Sequence, residues 1–146
     1  MIKNLSEYFL PEQEFYLQSI SYERIEKSID QKEHSLNCID NIRVNVYGKE
    51  KIRIIVTRSL NFDPEEMFSM SVSFGAILKF NPDKYEDYDW HNINLADEFK
   101  NNGDFVIGNL AARISLQIAQ ITSAFGQMPI VLPPTIAKAP VNAKQK

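Results

Sequence analysis

The sequence contains few of the residues that usually carry chemistry. Its 146 residues include one cysteine and two histidines. Cys38, as the single thiol, cannot form a disulfide within the chain, and this usage fits a reducing compartment. His34 and His91 are far apart, and neither stands at a metal-ligand spacing. These shortages argue against a disulfide scaffold and against a structural zinc site within one chain.

Motifs for binding nucleotides and nucleic acids are also missing. The chain has five glycines, and none of them forms a GxGxxG or GK[ST] loop. The formal net charge is -3, and no basic patch stands out in the sequence. We therefore expect a protein that is not an enzyme, needs no cofactor or metal and binds no nucleic acid.

Long hydrophobic runs are absent too. No apolar run approaches the roughly 20 residues that span a bilayer. Residues 1–14 lack the continuous apolar core and the small-residue cleavage site of a secretory signal. We expect a soluble, cytoplasmic protein with no direct membrane insertion.

The clearest pattern that is present is helical and covers residues 104–126. Apolar residues at spacings of three and four fall on one helix face. They form a stripe, which consists of Leu110, Ile114, Ile118, Ile121 and Phe125. Further apolar residues lie off the stripe, so we predict a helix that is buried on two sides. Periodicity leaves open whether the stripe is core or a contact between copies, and we assign it to an oligomer interface. Asp104 is expected to cap the helix, and Gly126 to follow its end.

Four earlier segments alternate between apolar and polar residues, as strands do. They are residues 14–22, 38–47, 51–60 and 67–80. In the third, Ile52, Ile54 and Val56 are expected to face the core. In the fourth, apolar residues share one face and serines the other, and Gly75 indicates a bulge or kink. Residues 61–64 end in proline and predict a turn.

The order of these segments predicts an α+β fold. A short helix is expected at residues 90–102, before the long one. The result is a four-stranded antiparallel sheet covered on one face by a long C-terminal helix. Residues 1–136 form a single domain, and residues 127–136, with three prolines, are extended. Residues 137–146 are expected to be a disordered basic tail.

The content of apolar and aromatic residues is high for two layers of this size. Nine phenylalanines, six tyrosines and four methionines must be accommodated. Apolar surface that a subunit cannot enclose indicates an interface or a binding groove. Methionine and aromatic side chains suit the binding of varied partners.

Three stretches of the chain, in this order, resemble the SecB family of protein-export chaperones. Residues 15–20 (FYLQSI) are similar to the opening strand of the family, and residues 70–80 (MSVSFGAILKF) to its fourth strand. Residues 110–134 are similar to its long helix, the glycine that follows and a proline-rich apolar segment. The resemblance covers residues 13–136 and depends on the order and spacing of the stretches.

The resemblance implies a homotetramer, a dimer of dimers with the long helices packed between the dimers. It implies an ATP-independent holdase that keeps unfolded client polypeptides in apolar grooves, with a link to protein export. The groove-lining candidates that it implies are Tyr22, Ile42, Val44, Leu116, Met128, Ile130 and Leu132.

The chain departs from export members of the family in two ways. It is only mildly acidic, and no aromatic-rich last helix follows residue 136. A contact with the motor ATPase SecA is therefore not expected. The alternative function is an assembly or adaptor domain that binds one dedicated partner, for example an antitoxin.

Overall fold

The computed structural model describes residues 2–26, 35–63, 67–124 and 129–136. It contains the strands β1 (Phe9–Ile25), β2 (Ser35–Tyr47), β3 (Lys51–Asp63) and β4 (Met67–Phe80). The helices are α1 (Leu95–Asn102) and α2 (Asp104–Ser123). The predictions for Phe125, Gly126 and Met128 and for the tail at 137–146 fall outside the described residues.

The strands form one antiparallel sheet in the order β1-β4-β3-β2. The bounds predicted for β4 are those of the structure, whereas the other three strands are longer than predicted. Residues 61–63 were expected in a turn but continue β3, paired with residues 35–37 of β2. Cross-strand contacts explain the extension: the side chains of Asn37 and Asn61 form a hydrogen bond of 3.2 Å, and the ring of Phe62 packs edge-on against Phe68.

The hydrophobic core lies between α2 and one face of the sheet, which we call the covered face. Ile52, Ile54 and Val56 of β3 are fully buried there, as predicted. The alternation of β4 places seven apolar residues on the same face: Phe68, Met70, Val72, Phe74, Ala76, Leu78 and Phe80. All of them are buried except Phe74, which is half-buried. The α+β fold expected from the sequence is therefore confirmed.

The apolar stripe of α2 faces its own sheet. Leu110, Ile114 and Ile118 have no exposed surface, and each contributes about 2 kcal/mol to stability by leaving water. These three residues assigned to an interface are core residues of the subunit. Of the rest of the stripe, Ile121 is half-buried. A contact between copies along α2 would therefore have to use its outward face.

The helix ends differ from the predicted ones. The N-cap of α2 is Gly103, and Asp104 lies in the first turn, where a carboxylate complements the helix dipole. The short helix begins at Leu95 instead of residue 90, because Asn94 caps it by accepting a hydrogen bond of 3.2 Å from the N–H of Asp97.

Gly75 does not mark a bulge, contrary to the prediction. It pairs in register with Tyr16 and Ile55, and the nearby irregularity lies in β1 between Leu17 and Ser19. A Cβ atom at Gly75 would lie 2.3 Å from Cζ of Tyr16. The glycine therefore serves the close approach of the Tyr16 ring, which lies across β4 on the other face of the sheet.

Candidate functional site

A groove runs along edge strand β2 on the covered side of the sheet. It consists of two depressions of about 430 and 230 Å³, which share Ile42 and Ala96. The side chains of its floor are half-buried and apolar: Ile42, Val44 and Val46. From Asp40 to Val46 an extended strand spans about 20 Å.

The wall of the groove that faces β2 is formed by residues 90–96, which precede α1 and include its first two residues. Trp90 fixes this wall, because its ring packs 5.2 Å from that of Phe80 and its Nε1–H donates a 2.8 Å hydrogen bond to the carbonyl of Tyr85. Ile93 and Leu95 complete the apolar lining. The groove is thus a cleft between a strand edge and an aromatic-anchored segment.

The floor of the groove is also an unpaired strand edge. β2 pairs with β3 on one side, and no other described strand pairs with its second side. Consecutive residues 42–46 all line the groove, so backbone as well as side chains border it. An edge of this kind can add an extended segment of another chain as a new strand.

A buried ion pair lies at the Asp40 end of the groove. Arg58 is only 3% exposed, and its guanidinium binds Asp40 in bidentate fashion, with Nε–Oδ1 and Nη2–Oδ2 distances of 2.7 and 2.9 Å. These hydrogen bonds raise the pKa of Arg58 above its usual value. The same guanidinium donates to the carbonyls of Pro133 and Thr135 at 3.0 and 2.7 Å, and to Oγ of Ser115 at 3.2 Å. Arg58 therefore ties the chain after α2 to the sheet.

Residues 129–136, which we call the proline segment, form neither helix nor strand, bend at residues 134–135 and lie against the core. The N–H of Ile130 donates a 2.8 Å hydrogen bond to Oγ1 of Thr122, and Oγ of Ser115 donates one of 3.1 Å to the carbonyl of Pro133. Ile130, Leu132 and Ile136 pack against the core cluster. Ile136 also lines the smaller depression of the groove.

The structure brings together two of the residues predicted to bind clients. Ile42 and Val44 lie side by side on the groove floor, whereas Ile130 and Leu132 belong to the proline segment and pack against the core. Tyr22 lies on β1, at the opposite edge of the sheet, about 14 Å from β2 by strand spacing. Leu116 is 61% exposed on the outward face of α2. The predicted residues thus belong to several surfaces.

Sequence reasoning missed most of the groove wall and the ion pair. Nothing in residues 90–96 indicates that they pack beside β2, because that contact depends on the tertiary fold. Arg58 did leave a signal, since it is the one charged residue at an inward position of the β3 alternation.

The part of the chain that the structure describes shows neither a metal-binding cluster nor a membrane-spanning helix. There, no three or more His, Cys, Asp or Glu side chains are grouped so that they could hold a metal ion. Neither do the described helices include one with the length and apolarity needed to cross a membrane.

Neither a protein-family model nor a curated protein matches this sequence. Among solved structures, the chain is similar to the SecB-like chaperone Rv1957 of Mycobacterium tuberculosis, determined in complex with a ChAD peptide from the Rv1956 HigA1 antitoxin. The match has a TM-score of 0.63 at 11% sequence identity and covers 90% of this chain and 91% of the other. The chain therefore has the fold of that SecB-like chaperone.

Proposed function

We propose that this protein is an ATP-independent holdase chaperone of the SecB-like type, which binds unfolded polypeptide segments in the groove along β2. The observation that carries the proposal is the half-buried apolar floor of Ile42, Val44 and Val46 beside an unpaired strand edge. An extended client would pair its backbone with β2 and set alternate side chains over this floor.

The dimensions of the groove favour broad recognition. About 20 Å of strand accommodates roughly three client side chains on one face. Burying each of them contributes about 2 kcal/mol, and ordering the client opposes this gain. Backbone pairing does not depend on client sequence, so we expect micromolar binding of many segments.

A matched pair of variants tests the groove. Val44→Asp places a carboxylate on the apolar floor, and Asn45→Asp places the same group one residue along, at an exposed position of the other face. A chemically denatured enzyme is diluted into buffer with each protein, and light scattering follows its aggregation. Wild type and Asn45→Asp should suppress scattering, and Val44→Asp should require about tenfold more protein.

Trp90 gives a second readout, because it is the only tryptophan and lies in the groove wall. Its fluorescence should change when the wild type is titrated with an apolar unfolded peptide. The change should be smaller for Val44→Thr, a milder variant that tests the groove floor should Val44→Asp not fold. Failure of the wild type to suppress aggregation, or equal suppression by both aspartate variants, would contradict the proposal.

We further propose a cytoplasmic homo-oligomer, a dimer of dimers, that uses the outward face of α2. Leu116 is exposed there, and Ala112 and Gly108 precede it at steps of four residues on the same helix face. A Cβ atom on Gly108 would meet no atom within 4 Å. Small residues beside an exposed leucine allow close helix approach. Sedimentation should show Leu116→Glu at a lower mass than wild type, and Asn101→Glu on α1 at the wild-type mass. A monomeric wild type would contradict this part of the proposal.

The family resemblance also suggests a link to protein export, in which SecA is not a proposed partner. The second candidate function is an adaptor for one dedicated protein. The solved SecB-like neighbour, which holds an antitoxin peptide, favours it. Competition binding separates the two: a holdase should take several unrelated unfolded peptides at similar affinity, and an adaptor should prefer one peptide by about a hundredfold or more.

A further inference from the structure

The other face of the sheet, which we call the open face, carries a cationic patch of four residues. Arg43, Lys51, Arg53 and Lys79 occupy three consecutive rungs of β2, β3 and β4. Lys51 pairs directly with Lys79, and the three rungs cover about 14 Å along the strands. Positive charge is thus concentrated on one half of this face.

The carboxylates that the structure describes do not pair with the patch. Within the described residues, no ion pair joins any of its four members to Asp or Glu. In the register of the sheet, Glu14 and Glu23 of the edge strand β1 lie on the same face, opposite Ile77 and Ser69 of β4. Glu14 is level with Arg53 but two strands away from it. The whole chain has a net charge of -3, so the patch has the opposite sign to the protein that bears it.

The centre of the patch contains donors that the subunit does not use. Nη2 of Arg53 donates to the hydroxyl of Tyr47 at 2.5 Å, and the guanidinium carbon lies 5.5 Å from the centre of that ring. Nε of Arg53 and the hydroxyl of Tyr16 are buried and make no hydrogen bond of standard geometry within the described residues, although the neighbouring hydroxyls of Tyr16 and Tyr47 raise the pKa of Arg53. A pocket of about 270 Å³ beside them is lined by Tyr47, Lys51, Arg53 and Ile77.

We propose that the cationic patch is a second docking surface, which takes an acidic segment of another protein. A carboxylate accepts from both N–H and O–H donors and matches the planar fork of a guanidinium. The flanking tyrosines and Ile77 provide apolar contact for the stem of a glutamate. The patch lies on the far side of the sheet from the groove, so a client and an acidic partner can bind at the same time.

A nucleic acid fits this surface less well. Binding to phosphates gains its strength from many contacts that release counterions, and the patch offers four cations. A protein of net negative charge also repels a polyanion at long range. A short acidic peptide needs only a few of these contacts.

Fluorescein-labelled decaglutamate and the full chain test the proposal by fluorescence anisotropy. The peptide should bind at low ionic strength and weaken as salt is added. The double variant Lys51→Glu/Lys79→Glu, at two patch residues that do not line the groove, should weaken binding about tenfold or more. The control Lys3→Glu/Lys84→Glu makes the same change of net charge at sites away from the patch and should bind as wild type does.

Three results would overturn the proposal: no binding of decaglutamate, equal weakening by the two double variants, or tighter binding of oligothymidine of the same length. Should the glutamate variant not fold, Lys51→Gln/Lys79→Gln replaces it and should weaken binding in the same direction. The suppression of aggregation should be unchanged in either patch variant, so a failure of this proposal is distinguishable from a failure of the holdase proposal.

Discussion

The two faces of one sheet are built from alternate residues of the same strands, yet they have different uses. On the covered face, the buried guanidinium of Arg58 is enclosed by Asp40 and two backbone carbonyls. On the open face, five residues earlier in the same strand, Arg53 keeps a donor without a partner in the described chain. The comparison indicates that the first face stabilises the subunit, and it leaves the second for the acidic partner that we propose.

The largest expected effect is a loss of stability that differs between two adjacent residues of β4. Leu78 is fully buried on the covered face, and Ile77 is half-buried on the open face. Leu78→Ala should lower the free energy of unfolding by about 3 to 4 kcal/mol, because it leaves a cavity in the core. Ile77→Ala should lower it by about 1 kcal/mol. Urea denaturation followed by circular dichroism measures both, and equal losses would show that the open face is also covered in solution.

A smaller effect is expected from the two arginines of β3. Arg58→Met leaves Asp40 and two carbonyls without their donor and should cost about 2 to 3 kcal/mol, less than a fully buried pair because Asp40 is partly accessible. Arg53→Met should change stability by about 0.5 kcal/mol or less. The same denaturation experiment applies.

The double variant Arg58→Met/Asp40→Leu controls this measurement. It removes both charges and should recover at least half of the stability lost by Arg58→Met. No recovery would mean that the loss comes from the proline segment and not from the unpaired carboxylate.

Gly75→Ala should cost about 1 kcal/mol, because the new Cβ must displace the outer end of the Tyr16 side chain. The same substitution in a Tyr16→Leu background should cost less, and this double-mutant cycle isolates the contact across the open face. Equal costs in both backgrounds would place the strain in the backbone of β4.

The smallest effect concerns Cys38, which pairs with Leu60 across β2 and β3. Cys38 is exposed at the surface, but partial desolvation by its neighbours raises the pKa of its thiol, and the nearby charge of Arg58 offsets part of this rise. Alkylation by iodoacetamide should therefore reach half its maximal rate at a higher pH than in a short cysteine peptide. The protonated thiol is favoured in the folded state, so its contribution to stability is complete below the ordinary thiol pKa and is lost as pH rises through the raised value. A midpoint at or below the peptide value would contradict the partial desolvation of this thiol.

Period-two alternation predicted the sheet well because it is a local consequence of a half-buried strand. It identified the bounds of β4 and the inner residues of β3. The helical spacing of three and four could not separate core from interface along α2, since Leu110 and Ile118 would show the same spacing in either place. Neither pattern could predict why residue 75 is a glycine or that Trp90 packs beside β2, because both facts depend on residues that are distant in the chain.

The ties that Arg58 makes to Pro133 and Thr135 connect residues more than seventy positions apart. Such remote pairings form late in folding, because the intervening chain must be ordered first. We therefore expect the proline segment to be the last part to dock and the first to release in local opening, which hydrogen exchange at the Ile130 amide would reveal. The end of the groove that Ile136 lines would then widen and narrow without any change in the sheet. The length of the client segment that we propose to bind there would depend on how often the proline segment is docked.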